Sequence, residues 1–367
     1  MKQVWITKAG PPEVLKLQEA PDPVPRTGEV RLRVEASGVN FADILGRMGV
    51  YPDAPAIPYV PGYEVAGTIE LLGQGVTGLK EGEKVMALTH FGGYSDVVCV
   101  PYRHVFTRLE WMSAADAAAL PLNYLTAYLM LVVMGSLRAG SRVLIHGAGG
   151  GVGLAALDIC RILGAQTYGT ASPGKHPFLR ERGLTHALDY VSPDYEQALM
   201  DLTGGAGVDI VLEPQGGPHW RKNYGLLAPT GRVIYFGISY VAAGKKRSLR
   251  QMFNLLRNLP FFTPIKLINE NKGVMGFNLV HLWDEVDLLR AAMAQIIDWY
   301  DAALFRPHID RSFRFHEADA EAEAKPSKAR PARKVVETDD NANDSDLLGK
   351  STLAKLSTKP DEAPAAE

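Results

Sequence analysis

The first 120 residues of the chain carry a pattern typical of β-structure. Residues 30–36 alternate between apolar and polar side chains, as a half-buried strand does. Gly/Pro turns separate this run from other strand-like runs, which lie at 3–6, 65–69, 84–88 and 95–100. Short strands at this spacing predict a small barrel or sandwich.

From residue 114 onward the pattern changes. Residues 116–120 and 124–134 are typical of helices, and from residue 142 strand-like and helical runs alternate, as a doubly wound parallel sheet requires. The strand candidates are 142–146, 167–171, 187–190, 208–213 and 232–236. The sequence therefore predicts an α/β chain with two domains that meet near residues 121–122.

A glycine-rich stretch lies between a buried strand, 143–146, and a predicted helix, 154–163. Ala148, Gly150 and Gly153 have the spacing of the dinucleotide fingerprint, with alanine in the first position. A pyrophosphate needs backbone N–H groups that it can approach without Cβ interference, and the positive end of a helix dipole. The predicted cofactor-binding residues of this turn are Ala148, Gly149, Gly150, Gly151, Val152 and Gly153.

The second predicted strand ends without the carboxylate that would bind the ribose 2′-hydroxyl of NAD. Ser172 stands there instead, Lys175 follows three residues later, and Tyr190 ends the next strand. A hydroxyl, a phenol and a positive charge suit a 2′-phosphate, which predicts NADPH as the cofactor. The alternative is that Lys175 is a solvated turn lysine.

Composition narrows the possible partners. The 367 residues are 46% hydrophobic, and the formal net charge of −2 gives no general reason to expect nucleic acid or an anionic membrane as a partner. The two cysteines cannot form a disulfide framework. The chain starts directly with an apparent strand rather than a signal peptide, and its longest apolar window, 124–133, is too short to span a bilayer. We therefore expect a cytoplasmic protein.

Several segments resemble, in order along the chain, the zinc-free, quinone-oxidoreductase-like branch of the medium-chain dehydrogenase/reductase superfamily, and within it most closely the vesicle amine transport protein homologues. The matching segments are 36–43, 58–67, 123–128, the glycine turn, 208–213, 231–233 and 275–279. The resemblance implies a GroES-like barrel around an inserted Rossmann domain, with the active site in the cleft between them. The implied limits are 1–122 (barrel), 123–271 (nucleotide-binding domain), 272–336 (return to the barrel) and 337–367 (tail).

The chain departs from the zinc enzymes of that superfamily at their ligand positions. Asn40 stands where those enzymes have a cysteine, and Gly62-Tyr63-Glu64 stands where they have Gly-His-Glu. With two cysteines in all, no tetrahedral zinc site of that type can form, so no metal is expected. His146 and Glu213, which end two predicted strands, are interpreted as structural.

A reductase without a metal must stabilise the negative charge that develops on the substrate oxygen with hydrogen-bond donors. Asn40 and Tyr51 are the main candidates, and Tyr59 is a weaker third. By resemblance, Tyr51 matches the tyrosine that related reductases place beside the nicotinamide. The alternative is that both tyrosines are half-buried loop aromatics and that Asn40 forms a turn.

The resemblance assigns four more residues to the cofactor. Thr126 would bring a hydroxyl to the nicotinamide side, the backbone of Gly237 would line that pocket, and Phe277 and Asn278 would close on the cofactor from the C-terminal side. It also favours a homodimer through the edge of the nucleotide domain near 273–277.

Residues 248–268 mix basic and bulky apolar side chains, and two prolines exclude one long amphipathic helix. This segment is interpreted as a lid or domain contact, with peripheral membrane contact as the alternative. After residue 320 the family pattern weakens, and 337–367 has the composition of a disordered tail.

Together these features predict an NADPH-dependent, zinc-independent reductase of quinones or α,β-unsaturated carbonyl compounds. The alternative is an NADPH-binding, membrane-associated protein with little turnover.

Overall fold

The computed structural model describes residues 1–190, 192, 194–239 and 257–315, and the backbone of 334–337. The strands are β1 (Lys2–Ile6), β2 (Leu15–Glu19), β3 (Glu29–Val39), β4 (Glu64–Leu72), β5 (Lys84–Leu88), β6 (Val97–Pro101), β7 (Val105–Thr107), β8 (Arg142–His146), β9 (Gln166–Ala171), β10 (His186–Asp189), β11 (Val208–Glu213), β12 (Leu227–Tyr235), β13 (Gly273–Gly276), β14 (Arg311–Arg314) and β15 (Lys334–Glu337). The α-helices are α1 (Phe41–Arg47), α2 (Ala114–Ala117), α3 (Pro121–Tyr128), α4 (Gly151–Ile162), α5 (His176–Glu181), α6 (Tyr195–Leu202), α7 (His219–Gly225), α8 (Pro264–Glu270) and α9 (Val286–Asp301).

The first domain is built on the long strand β3, which pairs antiparallel with β4 and β6. The order across this sheet is β14-β15-β3-β4-β5-β7. Alternate residues of β3 are fully buried and pack against Val65 and Val85 of the neighbouring strands; they are Val30, Leu32 and Val34. The alternation noted in the sequence thus forms the interior of a small barrel.

The second domain contains six parallel strands in the order β10-β9-β8-β11-β12-β13. Val143 and Ile145 pack with α4 on one face, whereas Leu144 packs with residues of α6 and α7 on the other. The predicted doubly wound sheet is therefore confirmed. Chain order reverses between β8 and β11, so their carboxyl ends form the switch point at which such sheets bind ligands.

Two helices differ from the prediction. The helix expected at 124–134 is α3, which begins at Pro121, followed by a π-helical stretch, Leu129–Met134. The helix expected to start at 154 is α4, which begins at Gly151, because its first turn consists largely of glycines that carry no apolar periodicity.

The C-terminal return to the barrel is present. β14 pairs parallel with β15, and β15 pairs antiparallel with β3, with Lys334 opposite Val39. The chain implied to return to the barrel over 272–336 therefore supplies the strand β15 to the first sheet. The predicted tail beyond residue 337 and residues 248–256 of the basic and apolar segment at 248–268 lie outside the described residues.

Candidate functional site

The glycine turn lies at the switch point of the parallel sheet. It leaves β8 through Gly147, whose φ of +64° favours glycine, and enters α4 at Gly151. A Cβ on Gly153 would lie 2.5 Å from the carbonyl oxygen of Gly147, so the helix packs too closely on the turn for a side chain. The turn thus offers the N–H groups at the start of a helix to an anion.

Neighbouring strand ends hold this turn in place. The Ala148 N–H donates to the Thr170 carbonyl oxygen at 3.1 Å, and the Gly147 N–H donates to Thr170 Oγ1 at 3.3 Å. His146 Nδ1 lies 3.0 Å from the same hydroxyl. The ends of β8 and β9 are therefore joined directly beneath the turn.

The three residues predicted to contact a 2′-phosphate follow the adjacent strand ends. Ser172 and Lys175 come after β9, and Tyr190 comes after β10. All three therefore lie on the side of the sheet where the strands have their carboxyl ends, as the glycine turn does. Burial lowers the pKa of half-buried Lys175, against the opposing attraction of Asp310. Tyr190 is 52% exposed.

Three tyrosines of the barrel domain form a cluster. The ring of Tyr51 meets that of Tyr63 edge-on at 6.2 Å between centroids. Tyr59 is buried against Phe91, and burial raises its pKa to about 12. Burial also raises the pKa of Tyr51 and of Tyr63. All three hydroxyls are therefore neutral at physiological pH.

Asn40 lies in a buried network at the junction of the two domains. Its Nδ2 donates to Glu64 Oε1 at 2.8 Å, and its Oδ1 accepts from Asn123 Nδ2 at 2.9 Å. The other carboxylate oxygen of Glu64 accepts the Leu122 N–H at 2.8 Å. One hydrogen of the Asn40 amide is thus engaged with Glu64.

Asn123 connects this network to the glycine turn. It lies on α3, and its side chain packs so closely on the first residue of α4 that a Cβ on Gly151 would lie 2.7 Å from Asn123 Oδ1. Thr126, one helical turn later, is buried. A single residue, Asn123, therefore connects the candidate donor Asn40 to the phosphate turn.

The remaining predicted cofactor residues follow β12 and β13, on the other side of the switch point from β9 and β10. Gly237 follows β12 so close to the chain after β11 that a Cβ would lie 2.7 Å from the Pro214 carbonyl oxygen. The Phe277 N–H donates to the Tyr235 carbonyl oxygen at 2.9 Å, which continues the pairing of β12 with β13. Asn278 Nδ2 donates to Asp53 Oδ2 at 2.9 Å.

A second buried cluster lies behind the turn. Glu213 accepts the Gly216 N–H at 2.9 Å and a hydrogen bond from the Asn223 amide, whose Oδ1 lies 2.7 Å from His146 Nε2. Burial raises the pKa of Glu213 to about 7 and lowers that of His146 to about 4. Near pH 6 both groups are therefore neutral.

Sequence reasoning did not single out four residues that contact the predicted ones: Asp53, Tyr63, Glu64 and Asn123. Tyr63 and Glu64 lie in the segment that replaces the zinc-ligand motif, and Asn123 begins a segment that carried the resemblance. No sequence segment pointed to Asp53, because its partner Asn278 is 225 residues away in the chain.

No group of three or more His, Cys, Asp or Glu side chains within the described residues is placed to hold a metal ion. In the same part of the chain, no helix is long and apolar enough to cross a membrane.

Each of the two domains matches a known protein family. Residues 26–109 match the family described as "Alcohol dehydrogenase GroES-like domain", and residues 151–291 match "Zinc-binding dehydrogenase". The chain is 40% identical over 319 residues to the rat "Synaptic vesicle membrane protein VAT-1 homolog". The aligned part covers 86% of this chain and 79% of the relative.

Solved structures agree. The crystal structure of human synaptic vesicle membrane protein VAT-1 homolog-like protein is similar with a TM-score of 0.79 and 31% identity, covering 92% of this chain and 98% of that one. The Escherichia coli quinone oxidoreductase complexed with NADPH has a TM-score of 0.79 and 25% identity, covering 92% and 100%. The GroES-like barrel and the Rossmann domain expected from the sequence are confirmed.

Proposed function

Because the chain belongs to the medium-chain dehydrogenase/reductase superfamily, in its zinc-free, quinone-oxidoreductase-like branch, we propose that it is an NADPH-dependent reductase of quinones or α,β-unsaturated carbonyl compounds. The observation that carries the proposal is that Asn123, which donates a buried hydrogen bond to Asn40, packs directly against Gly151 at the start of α4. A cofactor held at that turn would thus lie beside a set of neutral donors.

NADPH fits the residues that follow the carboxyl ends of the parallel strands. The glycine turn would bind the pyrophosphate, and the half-buried ammonium of Lys175 with Ser172 and Tyr190 would bind the 2′-phosphate. The side chains of Thr126, Phe277 and Asn278 and the backbone of Gly237 are proposed for the nicotinamide side. When bound, NADPH supplies the hydride.

The chain's own residues would stabilise the negative charge that develops on the substrate oxygen. Tyr51 is a neutral phenol, because burial raises its pKa, and its hydroxyl would donate to that oxygen. The second Nδ2 hydrogen of Asn40 would be an additional donor, since Glu64 engages only the first. A quinone or enone suits this site because its charge is delocalised and needs no metal ion.

Changing Tyr51→Phe tests the proposal. The variant keeps the ring that packs on Tyr63, so NADPH binding should be unchanged, while turnover should fall on the order of a hundredfold, most strongly with an enone. NADPH consumption with 1,4-naphthoquinone and with an enone measures this. The matched control is Tyr102→Phe, at a partly buried tyrosine that packs against the barrel core. Full turnover by Tyr51→Phe on every substrate would exclude Tyr51 as the donor.

We also propose the domain limits 1–122, 123–271 and 272–336, a homodimer, and a cytoplasmic location for this chain.

A surface observation favours a second candidate, an NADPH-binding protein that associates with membranes and turns over little substrate. Phe261, Ile265 and Ile268 are 84%, 72% and 70% exposed, and the exposed Lys266 follows Ile265 in the chain. Relatives of the chain are named as vesicle membrane proteins. Bulky apolar side chains beside a cation suit an anionic membrane surface.

Sedimentation with vesicles of phosphatidylcholine and phosphatidylserine tests this candidate. Phe261→Ser should release the protein from the vesicles, whereas Val24→Ser, at an equally exposed apolar position, should not. A protein that stays in solution with these vesicles and consumes NADPH with a quinone would exclude the second candidate.

A further inference from the structure

A chain of side-chain hydrogen bonds leads from Glu213, at the end of β11, to the glycine turn. The Asn223 amide nitrogen donates to Glu213 Oε2, and Asn223 Oδ1 lies 2.7 Å from His146 Nε2. His146 Nδ1 lies 3.0 Å from Thr170 Oγ1, which accepts the Gly147 N–H at 3.3 Å. The four residues that supply these side chains are at most 2% exposed, so bulk water does not compete for the bonds.

Glu213 fixes the direction of this chain once it is ionised, above its pKa of about 7. Both of its oxygens then accept: Oε1 takes the Gly216 N–H at 2.9 Å, and Oε2 takes the Asn223 amide. The Asn223 nitrogen therefore faces the carboxylate, and the Asn223 oxygen, which faces His146, can only accept. Burial lowers the pKa of His146 to about 4, so its neutral ring has one proton, which must lie on Nε2. Nδ1 is left to accept from the Thr170 hydroxyl.

The Thr170 hydroxyl is thereby held with its oxygen toward the turn. Its one hydrogen goes to His146, so a lone pair remains to accept the Gly147 N–H. The Thr170 carbonyl oxygen accepts the next N–H, that of Ala148, at 3.1 Å. Two successive N–H groups of the turn are thus bonded to one residue of β9.

Gly147 determines where the start of the following helix lies. Its carbonyl oxygen accepts the Gly150 N–H at 2.9 Å, just before α4 begins at Gly151. The helix packs against the same oxygen, since a Cβ on Gly153 would lie 2.5 Å from it. A shift of the Gly147 peptide would therefore move the start of α4, whose first N–H groups form the proposed pyrophosphate site.

We infer that His146 and Thr170 are positioning residues that hold the glycine turn in the shape that binds the pyrophosphate. The inference rests on the proposed function, because it requires a dinucleotide at this turn. Neither side chain needs to touch the nucleotide: Thr170 acts through Gly147, and His146 acts through Thr170. Because NADPH and NADH have the same pyrophosphate, both should be affected equally, in contrast to the effect of Lys175 at the 2′-phosphate.

Binding of NADPH and of NADH to Thr170 variants, measured by titration calorimetry at about pH 8, is the first test. Thr170→Val has the same shape without the hydroxyl and should weaken binding of both nucleotides roughly fivefold, the effect of one buried hydrogen bond. Thr170→Ser keeps the hydroxyl and should bind both as the parent protein does. Thr167→Val, at the other end of β9, is the matched control, because it removes a buried hydroxyl that accepts the Thr185 N–H at 3.0 Å.

The control separates positioning from a general loss of stability. Thr170→Val and Thr167→Val should both lower the melting temperature, so instability alone cannot make their nucleotide affinities differ. Parental affinity in Thr170→Val, equal weakening by Thr167→Val, or a loss confined to NADPH would overturn the inference. A parent protein that binds neither nucleotide would overturn the proposed function as well.

A double variant tests whether His146 acts through Thr170. His146→Phe keeps an aromatic ring against Tyr195 and removes the acceptor for the Thr170 hydroxyl, so it should weaken binding of both nucleotides to a similar extent. In the Thr170→Val background the same change should cause no further loss, because no hydroxyl remains to be oriented. Additive losses would show that His146 acts by another route and would overturn the inference.

The position of the proton on His146 gives a test that needs neither nucleotide nor turnover. Nitrogen NMR of isotopically labelled histidine at about pH 8 distinguishes a protonated Nε2 from a protonated Nδ1, and the His146 signals are those missing from His146→Phe. We expect the proton on Nε2, where Asn223 accepts it. A proton on Nδ1 would reverse the hydrogen bond to Thr170 and overturn the inference.

Discussion

Lys175 is the residue on which the choice between NADPH and NADH depends. It follows the end of β9, beside the glycine turn, and is half-buried, so its charge is less screened than that of a solvated lysine. We expect Lys175→Ala to weaken NADPH binding by about 1–3 kcal/mol and to leave NADH binding nearly unchanged. Titration calorimetry with both nucleotides measures this, with the exposed Arg180→Ala as the control. Equal weakening of both would exclude a 2′-phosphate contact.

Glu213 and His146 are buried groups with opposite effects on stability. The pKa of Glu213 is raised from 4.5 to about 7, so its folded form binds more protons and stability is lost as pH rises through that window. The pKa of His146 is lowered from 6.5 to about 4, so stability is lost as pH falls through nearly the same window. In the parent protein the two effects largely cancel.

Changing Glu213→Gln should therefore remove the Glu213 effect and leave that of His146 uncompensated. The free energy of unfolding of the variant, minus that of the parent, should rise by roughly 2–3 kcal/mol between about pH 5 and about pH 8. Urea denaturation at the two pH values measures the difference. Glu181→Gln, at an exposed position, should show no such change with pH. A pH-independent difference for Glu213→Gln would show that Glu213 is ionised throughout.

Single residues were predictable from the sequence where a local pattern identified them. The turn glycines have a fixed spacing, and Asn40 and Tyr51 stood within segments that resembled a family. The residues that hold them were not predictable in this way. Asn123 reaches Asn40 across 83 residues and Asp53 reaches Asn278 across 225, and no local periodicity records a contact of that range.

At the scale of secondary structure, the predicted strands are present with shifted ends, because alternation identifies a strand better than its limits. β2 was not predicted: it pairs with β1, but four of its five residues are exposed and it has no apolar face to recognise. α4 starts three residues before its apolar pattern does, since glycines at its N-terminus serve the turn rather than the core.

The close packing of α4 against the glycine turn predicts the effect of adding a side chain near the start of this helix. Gly153→Ala would place a Cβ against the backbone of Gly147 and Ala148, which cannot move without shifting the turn. We expect a loss of stability of about 1–3 kcal/mol and a clear loss of NADPH affinity. Gly225→Ala, in α7, has open space around the new Cβ and should lose neither. Normal NADPH affinity in Gly153→Ala would mean that the turn does not hold the phosphates.

At the scale of the whole molecule, the parallel sheet formed by the described residues ends at β13, which pairs on one side with β12. Because the Phe277 N–H points to β12 and successive residues of a strand point in opposite directions, Val274 directs its N–H away from the sheet. The exposed side chain of Ile268 lies next to this edge, on the rim of a cavity of about 430 Å³ that Met275 also lines. An open edge flanked by apolar side chains is a surface that a second copy of the chain could cover.

The proposed homodimer can be tested at this edge without disturbing the sheet. Val274→Pro removes an N–H that β12 does not use, so the fold and NADPH binding should survive while pairing with a second chain is blocked. Val274→Thr keeps the N–H and should leave the dimer intact. Sedimentation equilibrium should give twice the chain mass for the parent protein and for Val274→Thr, and the single chain mass for Val274→Pro. If Val274→Pro is also dimeric, the two chains meet at another surface, and if the parent is monomeric at all concentrations, this edge stays open in solution.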